Sequence, residues 1–309
     1  MTLALVAREL TKDFGSFRAV DQLSLEIQEG EVFGFLGPNG AGKTTSIRMM
    51  TGLLPPTSGS TTILGERVVP GGGRARSLTG VCPQEIVLWE HLTTMENLLF
   101  MADMYGVPRR EARQRAAELL RVLGLEEKAG ERAASLSGGM KRRLNVALAL
   151  IHDPRVVVLD EPEAGLDPQA RVVLREFLQS LRREKTLIFT THNMDEAERL
   201  VDRVAIVDHG KLIAVDTPAN LKRRIGAGDA LEVKVRAGQA EDLAARVRAH
   251  PGLEVAILDS TVVVRGLDLA GRFPQLLKET ELVQVEDVRY RGNSLEDVFI
   301  ALTGRGLRD

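Results

Sequence analysis

The stretch Val32-Phe33-Gly34-Phe35-Leu36-Gly37-Pro38-Asn39-Gly40-Ala41-Gly42-Lys43-Thr44-Thr45 decides how the rest of the chain is read. Val32 to Leu36 is short, apolar and unalternating, which predicts a strand covered on both faces. It runs directly into a match to G-x-x-x-x-G-K-[ST], and that strand-loop-helix context turns the pattern into an expected phosphate site. The glycines admit backbone torsions that a β-carbon forbids, so successive amide N–H groups can turn inward around a polyphosphate. A helix starting near Lys43 then points its positive end at the same anion. Lys43 is expected to reach the β and γ phosphates, with the Thr44 hydroxyl on Mg²⁺ and Gly37 to Ala41, Gly42 and Thr45 completing the loop.

Outward from the loop, Val156-Val157-Val158-Leu159-Asp160-Glu161 is a second apolar strand, and it ends in two carboxylates. Charges at a strand end are costly unless paired or metal-bound, and beside a phosphate loop Mg²⁺ is the obvious partner. Asp160 is expected to serve the metal, directly or through water, and Glu161 to orient or deprotonate the attacking water. To this point a kinase, a GTPase or another phosphate-loop ATPase fits equally.

The intervening and following segments separate these. Leu136-Ser137-Gly138-Gly139-Met140 precedes the helix that leads to Asp160-Glu161, and Ser137 with the two glycines predicts a hydroxyl and backbone amides at a helix start. This segment resembles the signature motif of the ATP-binding cassette (ABC) ATPases. The rest of that family's set follows the same order: Phe14 at the adenine-stacking position, Gln84 at the Q-loop, Ala164-Gly165-Leu166-Asp167 at the D-loop, and His192 after the strand Leu187 to Thr190. The resemblance implies ATP and Mg²⁺ as cofactors, with Thr44, Gln84 and Asp160 toward the metal. It further implies catalysis by Glu161, His192, Gln84 and Lys43, and nucleotide contacts from Ser137, Gly138, Gly139 and Asp167. It also implies that two cassettes pair head to tail, each signature completing the phosphate loop of the other. Met140 replaces a common glutamine, Glu163 a frequent threonine and Phe14 a tyrosine; none removes a phosphate or metal ligand.

LSGGMKRRL (Leu136 to Leu144) and the C-terminal Ser294-Leu295-Glu296-Asp297-Val298-Phe299 resemble the ATPases of bacterial multidrug and sodium export systems, whose channel is a separate membrane permease. The resemblance puts the permease contact on residues 85–107. There Ile86, Val87, Leu88 and Trp89 either lie exposed for that contact or pack inside the helical subdomain. An importer ATPase and a soluble ABC ATPase of translation or DNA repair are the competing readings. The substrate-selecting residues are expected in the permease.

Periodicity supplies the frame. Val156 to Leu159, Leu187 to Thr190 and Val204 to Val207 read as further buried strands, interleaved with helices over Arg110 to Leu123 and from the Ser137 turn to Asp153-Pro154. This is an α/β fold with a parallel sheet. The expected division is an ATP-binding domain over 1–225, with a helical signature subdomain at about 86–152, and an accessory domain over 226–309. Beyond Gly226 the order strand, helix, strand, strand, helix, strand predicts a small α+β domain of ferredoxin-like type. A closing helix follows over Ser294 to Leu302, with Ser294 and Asp297 in capping-box positions.

Composition excludes other classes. With 41 basic and 43 acidic residues, no strongly basic half and 44% hydrophobic content, the chain is globular and lacks a nucleic-acid footprint. The basic runs Lys141-Arg142-Arg143 and Lys222-Arg223-Arg224 read as solvated helix faces. No apolar run reaches the ~18 residues that span a bilayer, and Arg8 and Glu9 interrupt the N-terminus too early for a secretory signal. The lone Cys82 fits a reducing compartment. The expected place is the cytoplasm, at the membrane face through the permease.

Overall fold

The computed structural model describes residues 2–191, 193–225, 229–266, 269–280 and 283–304. The chain divides into two compact units that meet at Thr217/Pro218. This break lies eight residues before the boundary expected from the Gly226-Ala227-Gly228 run, because the helix that starts at Pro218 packs on the closing helix of the second unit.

The first unit holds two sheets. Strands β1 (Leu3–Phe14), β2 (Phe17–Gln28), β4 (Ser58–Ile63) and β5 (Glu66–Arg67) form an antiparallel sheet in the order β2-β1-β4-β5. Strands β3 (Val32–Leu36), β6 (Thr79–Cys82), β7 (Val156–Asp160), β8 (Thr186–Thr191), β9 (Arg203–Asp208) and β10 (Lys211–Asp216) form the other, in the order β10-β9-β3-β8-β7-β6. All its pairings are parallel except β9 with β10. Every residue of β3 and β7 is buried, as strands covered on both faces must be.

Helix α1 (Lys43–Met50) places Ile47, Met49 and Met50 in a core shared with Leu5 and Leu10 of β1, Leu23, Leu25 and Ile27 of β2, and Phe33 and Phe35 of β3. The short α2 (Arg74–Ser77) precedes β6. Between β6 and β7 lie α3 (Thr94–Met104), α4 (Arg109–Val122) and α5 (Gly138–Leu150). A Thr93/Glu96 capping box starts α3. Ala112, Ala116 and Leu120 of α4, and Leu144, Ala147 and Leu148 of α5, are buried on the faces that their spacing predicts. Helices α6 (Pro168–Ser180) and α7 (Met194–Leu200) complete the unit.

The second unit begins with α8 (Pro218–Arg224). It continues through β11 (Asp229–Val235), α9 (Ala240–Arg248), β12 (Leu253–Leu258), β13 (Thr261–Gly266), α10 (Leu269–Glu279), β14 (Val285–Gly292) and α11 (Leu295–Thr303). The strands make one antiparallel sheet in the order β12-β13-β11-β14, a split β-α-β arrangement. Leu231, Val233, Val262 and Val264 pack against Leu243, Ala244 and Val247 of α9. Asp297 seals the start of α11: Ser294 caps it, and the Arg265 and Arg291 guanidiniums both donate to the same carboxylate.

Candidate active site

Four neighbouring parallel strands, in the order β3, β8, β7, β6, deliver their carboxyl ends to one edge of the large sheet. Leu36 stands opposite Thr191, Asp160 opposite Thr190, and Cys82 opposite Leu159. Ligands of open α/β sheets bind at such edges. The loop after β3 is held close to its surroundings. A β-carbon on Gly37 would sit 2.2 Å from the Val207 carbonyl oxygen, and one on Gly42 would sit 2.6 Å from that of Ala19. Gly42 also has φ 96°, a left-handed backbone that L side chains resist. Gly37, Pro38 and Ala41 are buried, Asn39 and Gly40 are exposed, and Thr45 is half-buried on the first turn of α1.

Lys43 is buried and folds back over the loop, its Nζ donating to the carbonyls of Gly37 (2.7 Å) and Pro38 (2.9 Å). Burial pulls its pKa below the ordinary lysine value, and the nearby Glu161 and Asp160 carboxylates oppose that pull. Asp160 is 3% exposed, and its Oδ1 accepts from the hydroxyls of Thr190 (2.5 Å) and Thr44 (3.3 Å). Glu161 turns out of the strand at φ 48°, its backbone N–H donating to the Thr190 hydroxyl at 2.9 Å. The Gln84 amide reaches the Glu161 carboxylate at 3.4 Å. Lys43, Thr44, Gln84, Asp160 and Glu161 thus lie together at this edge of the sheet.

The remaining expected residues stand apart from this cluster. Phe14 is half-exposed at the tip of the β1–β2 hairpin opposite Phe17, with the Lys12 ammonium 5.2 Å from its ring centre. Ser137 caps α5 through the Met140 N–H (3.3 Å), and Asp167 caps α6 through the Ala170 N–H (2.9 Å). A β-carbon on Gly139 would lie 4.0 Å from an Asp167 carboxylate oxygen, so the signature glycines and the end of the 164–167 segment are neighbours. Among the described residues no hydrogen bond joins Ser137, Gly138 or Gly139 to the phosphate loop. His192 lies outside the described residues.

The family model described as "ABC transporter" matches residues 20–164. The chain is 38% identical over 310 residues to the linearmycin resistance ATP-binding protein LnrL of Bacillus subtilis (strain 168), covering 99% of this chain and 100% of that protein. The chain belongs to the ABC transporter ATP-binding proteins. A second ABC relative, the Nod factor export ATP-binding protein I of Ralstonia nicotianae (strain ATCC BAA-1114 / GMI1000), is 41% identical over 313 residues, 100% of this chain and 96% of that one. A solved ATP-binding subunit of an ABC transporter superposes with TM-score 0.67 at 30% identity, over 72% of this chain and 93% of that chain. Another, a cassette solved as a dimer in a post-hydrolysis state with ADP and Pi, superposes with TM-score 0.63 at 26% identity, over 69% and 98%. As an ABC subunit the chain is an ATPase, and among its described residues no helix is long and apolar enough to cross a membrane.

Sequence reading missed two residues of α5 beside this ABC site. Arg142, which the Lys141-Arg142-Arg143 run predicts to be part of a solvated basic face, is 2% exposed, and its side chain ends on main-chain carbonyls around Gln84 and Glu161. Asn145, one turn on, donates to the carbonyls of Pro83 and Glu85 and to the Cys82 sulfur, each at 3.4 Å. The signal lay in the helix period: both fall among positions that the apolar residues of α5 bury. The segment 86–89 is also divided. Ile86 and Val87 are exposed, whereas Leu88 and Trp89 are half-buried, and Trp89 packs edge-on against Phe100 with ring centres 4.6 Å apart.

Proposed function

We propose that this ATPase works as the motor subunit of an export system, hydrolysing ATP at an interface between two cassettes and driving a separate membrane permease. The convergence of the Thr44 and Thr190 hydroxyls on one Asp160 oxygen, beside Glu161 and Gln84, carries the reading. It gathers oxygen donors for a divalent cation next to a carboxylate able to take a proton. The glycine-walled loop with its buried lysine fits a polyphosphate, and the oxygen-rich set of Thr44, Asp160 and Gln84 fits Mg²⁺. When bound, Mg²⁺ neutralises charge on the phosphate oxygens.

The residues divide the work. Gly37, Pro38, Asn39, Gly40, Ala41, Gly42, Thr44 and Thr45 cradle the phosphates, and Lys43 supplies positive charge to the β and γ groups. Glu161 accepts a proton from the attacking water while Gln84 holds its carboxylate in place. His192 is assigned to the γ-phosphate, and the half-exposed ring of Phe14 to the adenine face. Water adds to the γ-phosphorus, the bond to the β–γ bridging oxygen breaks, and ADP and Pi leave. Ser137, Gly138, Gly139 and Asp167 offer a helix start and a carboxylate to the nucleotide of the partner cassette. Exposed Ile86 and Val87, on the segment after Gln84, suit an apolar contact with the permease, which would hold the subunit at the cytoplasmic face of the membrane. The export names of the relatives support the direction of transport.

Glu161→Gln tests the reading. It should bind ATP, hydrolyse it about 10² to 10⁴ times more slowly, and shift from monomer to dimer by light scattering when ATP and Mg²⁺ are added. Undiminished hydrolysis would remove Glu161 as the base, and a monomer at saturating ATP and Mg²⁺ would remove the paired-cassette mechanism.

A further inference from the structure

Arg142 is the largest fully buried side chain among the described residues, and its guanidinium has five N–H donors. Each finds a main-chain carbonyl. Nε donates to Pro162 (3.2 Å), Nη1 to Pro83 and Gln84 (both 2.8 Å), and Nη2 to Asp160 and Glu161 (both 2.5 Å). Among the described residues no carboxylate lies within salt-bridge distance of it. A buried cation held without an opposite charge is expensive, and simple stabilisation of α5 against the sheet would be met as well by an apolar side chain. The carbonyls it selects are therefore the informative part.

They come from two segments far apart in the sequence, residues 83–84 just after β6 and residues 160–162 at the end of β7. Each carries one member of the Gln84–Glu161 pair. Along an extended strand successive carbonyls point to opposite sides, yet those of Asp160 and Glu161 reach the same nitrogen. The left-handed turn at Glu161 allows this. Such a conformation is strained for a residue other than glycine and needs an outside hold to persist. The carbonyl of Glu161 accepts from Arg142 and its N–H donates to Thr190, so its backbone is pinned on both sides. Arg142 lies five residues after Ser137 on the helix that Ser137 caps.

We propose that Arg142 is a positioning residue for ATP hydrolysis. It aligns the Glu161 carboxylate with Gln84 by clamping the two backbones, and it ties that alignment to the helix whose first turn faces the partner cassette. The inference rests on Glu161 being the base. Asn145 extends the clamp along the same helix, holding the chain from Pro83 to Val87.

Steady-state hydrolysis by the full chain with Arg142→Lys and Arg142→Met tests this, alone and combined with Glu161→Gln. Thermal melts and Mg²⁺–ATP binding by calorimetry run in parallel. A misplacement near 1 Å costs on the order of 10² in rate, so kcat should fall about that much with KM and ATP affinity changed less than about 3-fold. In the Glu161→Gln background, single-turnover rates should fall by less than about 3-fold more, because Arg142 acts through Glu161. If neither Arg142 variant folds, Asn145→Ala enters the same cycle, with a drop in kcat of about 10-fold expected for the looser clamp. Unchanged kcat in a folded variant, a parallel loss of ATP affinity, or a full 10²-fold loss multiplied onto Glu161→Gln would overturn the positioning role. Full turnover by Glu161→Gln alone would instead overturn the base assignment and leave the clamp without its object.

Discussion

The two units treat buried charge in opposite ways. Around the phosphate loop Lys43, Asp160 and Arg142 are each at most 6% exposed. Among the described residues none lies within salt-bridge distance of an opposite charge; carbonyls and hydroxyls satisfy all three. In the second unit Asp297 is 1% exposed and receives two arginines, Arg265 and Arg291, the latter also paired with Glu232 at 2.6 Å. Burial alone would raise the Asp297 carboxyl. The hydrogen bonds from Arg291, the Ser294 N–H and the neighbouring Arg265 hold it well below the usual carboxylate range. Charge neutralised inside the fold fastens a helix to a sheet. Charge kept near neutral dipoles retains its field for whatever binds.

The largest effect that can break this contrast is Lys43→Ala. It should take ATP turnover to background while leaving the thermal midpoint unchanged or higher, because it removes a cation that is buried without an ion pair. Full activity in the purified variant would sink the loop assignment, and a collapse of stability would sink the contrast.

Asp297→Ala should do the reverse. Leaving two arginines facing a missing carboxylate costs about 3 to 5 kcal/mol, read by urea unfolding as a weakened transition of the second unit with Mg²⁺–ATP binding unchanged. An unaltered unfolding curve would show that the cluster does not hold α11.

A third kind of buried group gives the smallest effect. His152 stacks on Tyr105 with ring centres 3.7 Å apart and directs Nε2 to the Thr79 carbonyl at 3.2 Å, an arrangement for a neutral ring with its proton on that nitrogen. Burial lowers its pKa from 6.5 to about 4, against the Thr79 carbonyl. Above pH 6.5 the ring is neutral in both folded and unfolded chains. Between 6.5 and 4 the unfolded chain binds a proton that the folded one refuses, so stability falls as the pH drops through that window. The loss is on the order of 3 kcal/mol, and His152→Gln should flatten it in urea titrations at pH 7 and 4.5. Parallel losses in the two proteins would place the pH sensitivity elsewhere.

What the sequence made legible follows the same division. Val32–Leu36, the loop after it and Val156–Asp160 announce themselves because a two-sided strand must be apolar throughout, and a phosphate cradle must be glycine-rich. The antiparallel sheet left no such mark. Register shifts interrupt β1 between Ala7 and Leu10, and Glu9 and Gln22 turn into the left-handed region, so only the Leu23, Leu25, Ile27 run of β2 keeps the two-residue alternation. Four-residue β6 is equally silent, its Gly80 lying where a β-carbon would come 1.9 Å from the Ala149 carbonyl. Arg142 escaped notice for a different reason. Its neighbours Lys141 and Arg143 share its charge, and only the helical period separates a residue on the core face from two at its margin.

Trp89 is the single tryptophan among 309 residues. It stands five positions after Gln84, edge-on to Phe100, with its backbone N–H and carbonyl both hydrogen-bonded to Asn97. The chain thus carries one indole fluorophore, two positions beyond the exposed Val87 on the segment whose Gln84 amide reaches Glu161. Its emission wavelength and quenching can follow that segment in real time, on unlabelled protein, whenever nucleotide or permease is added.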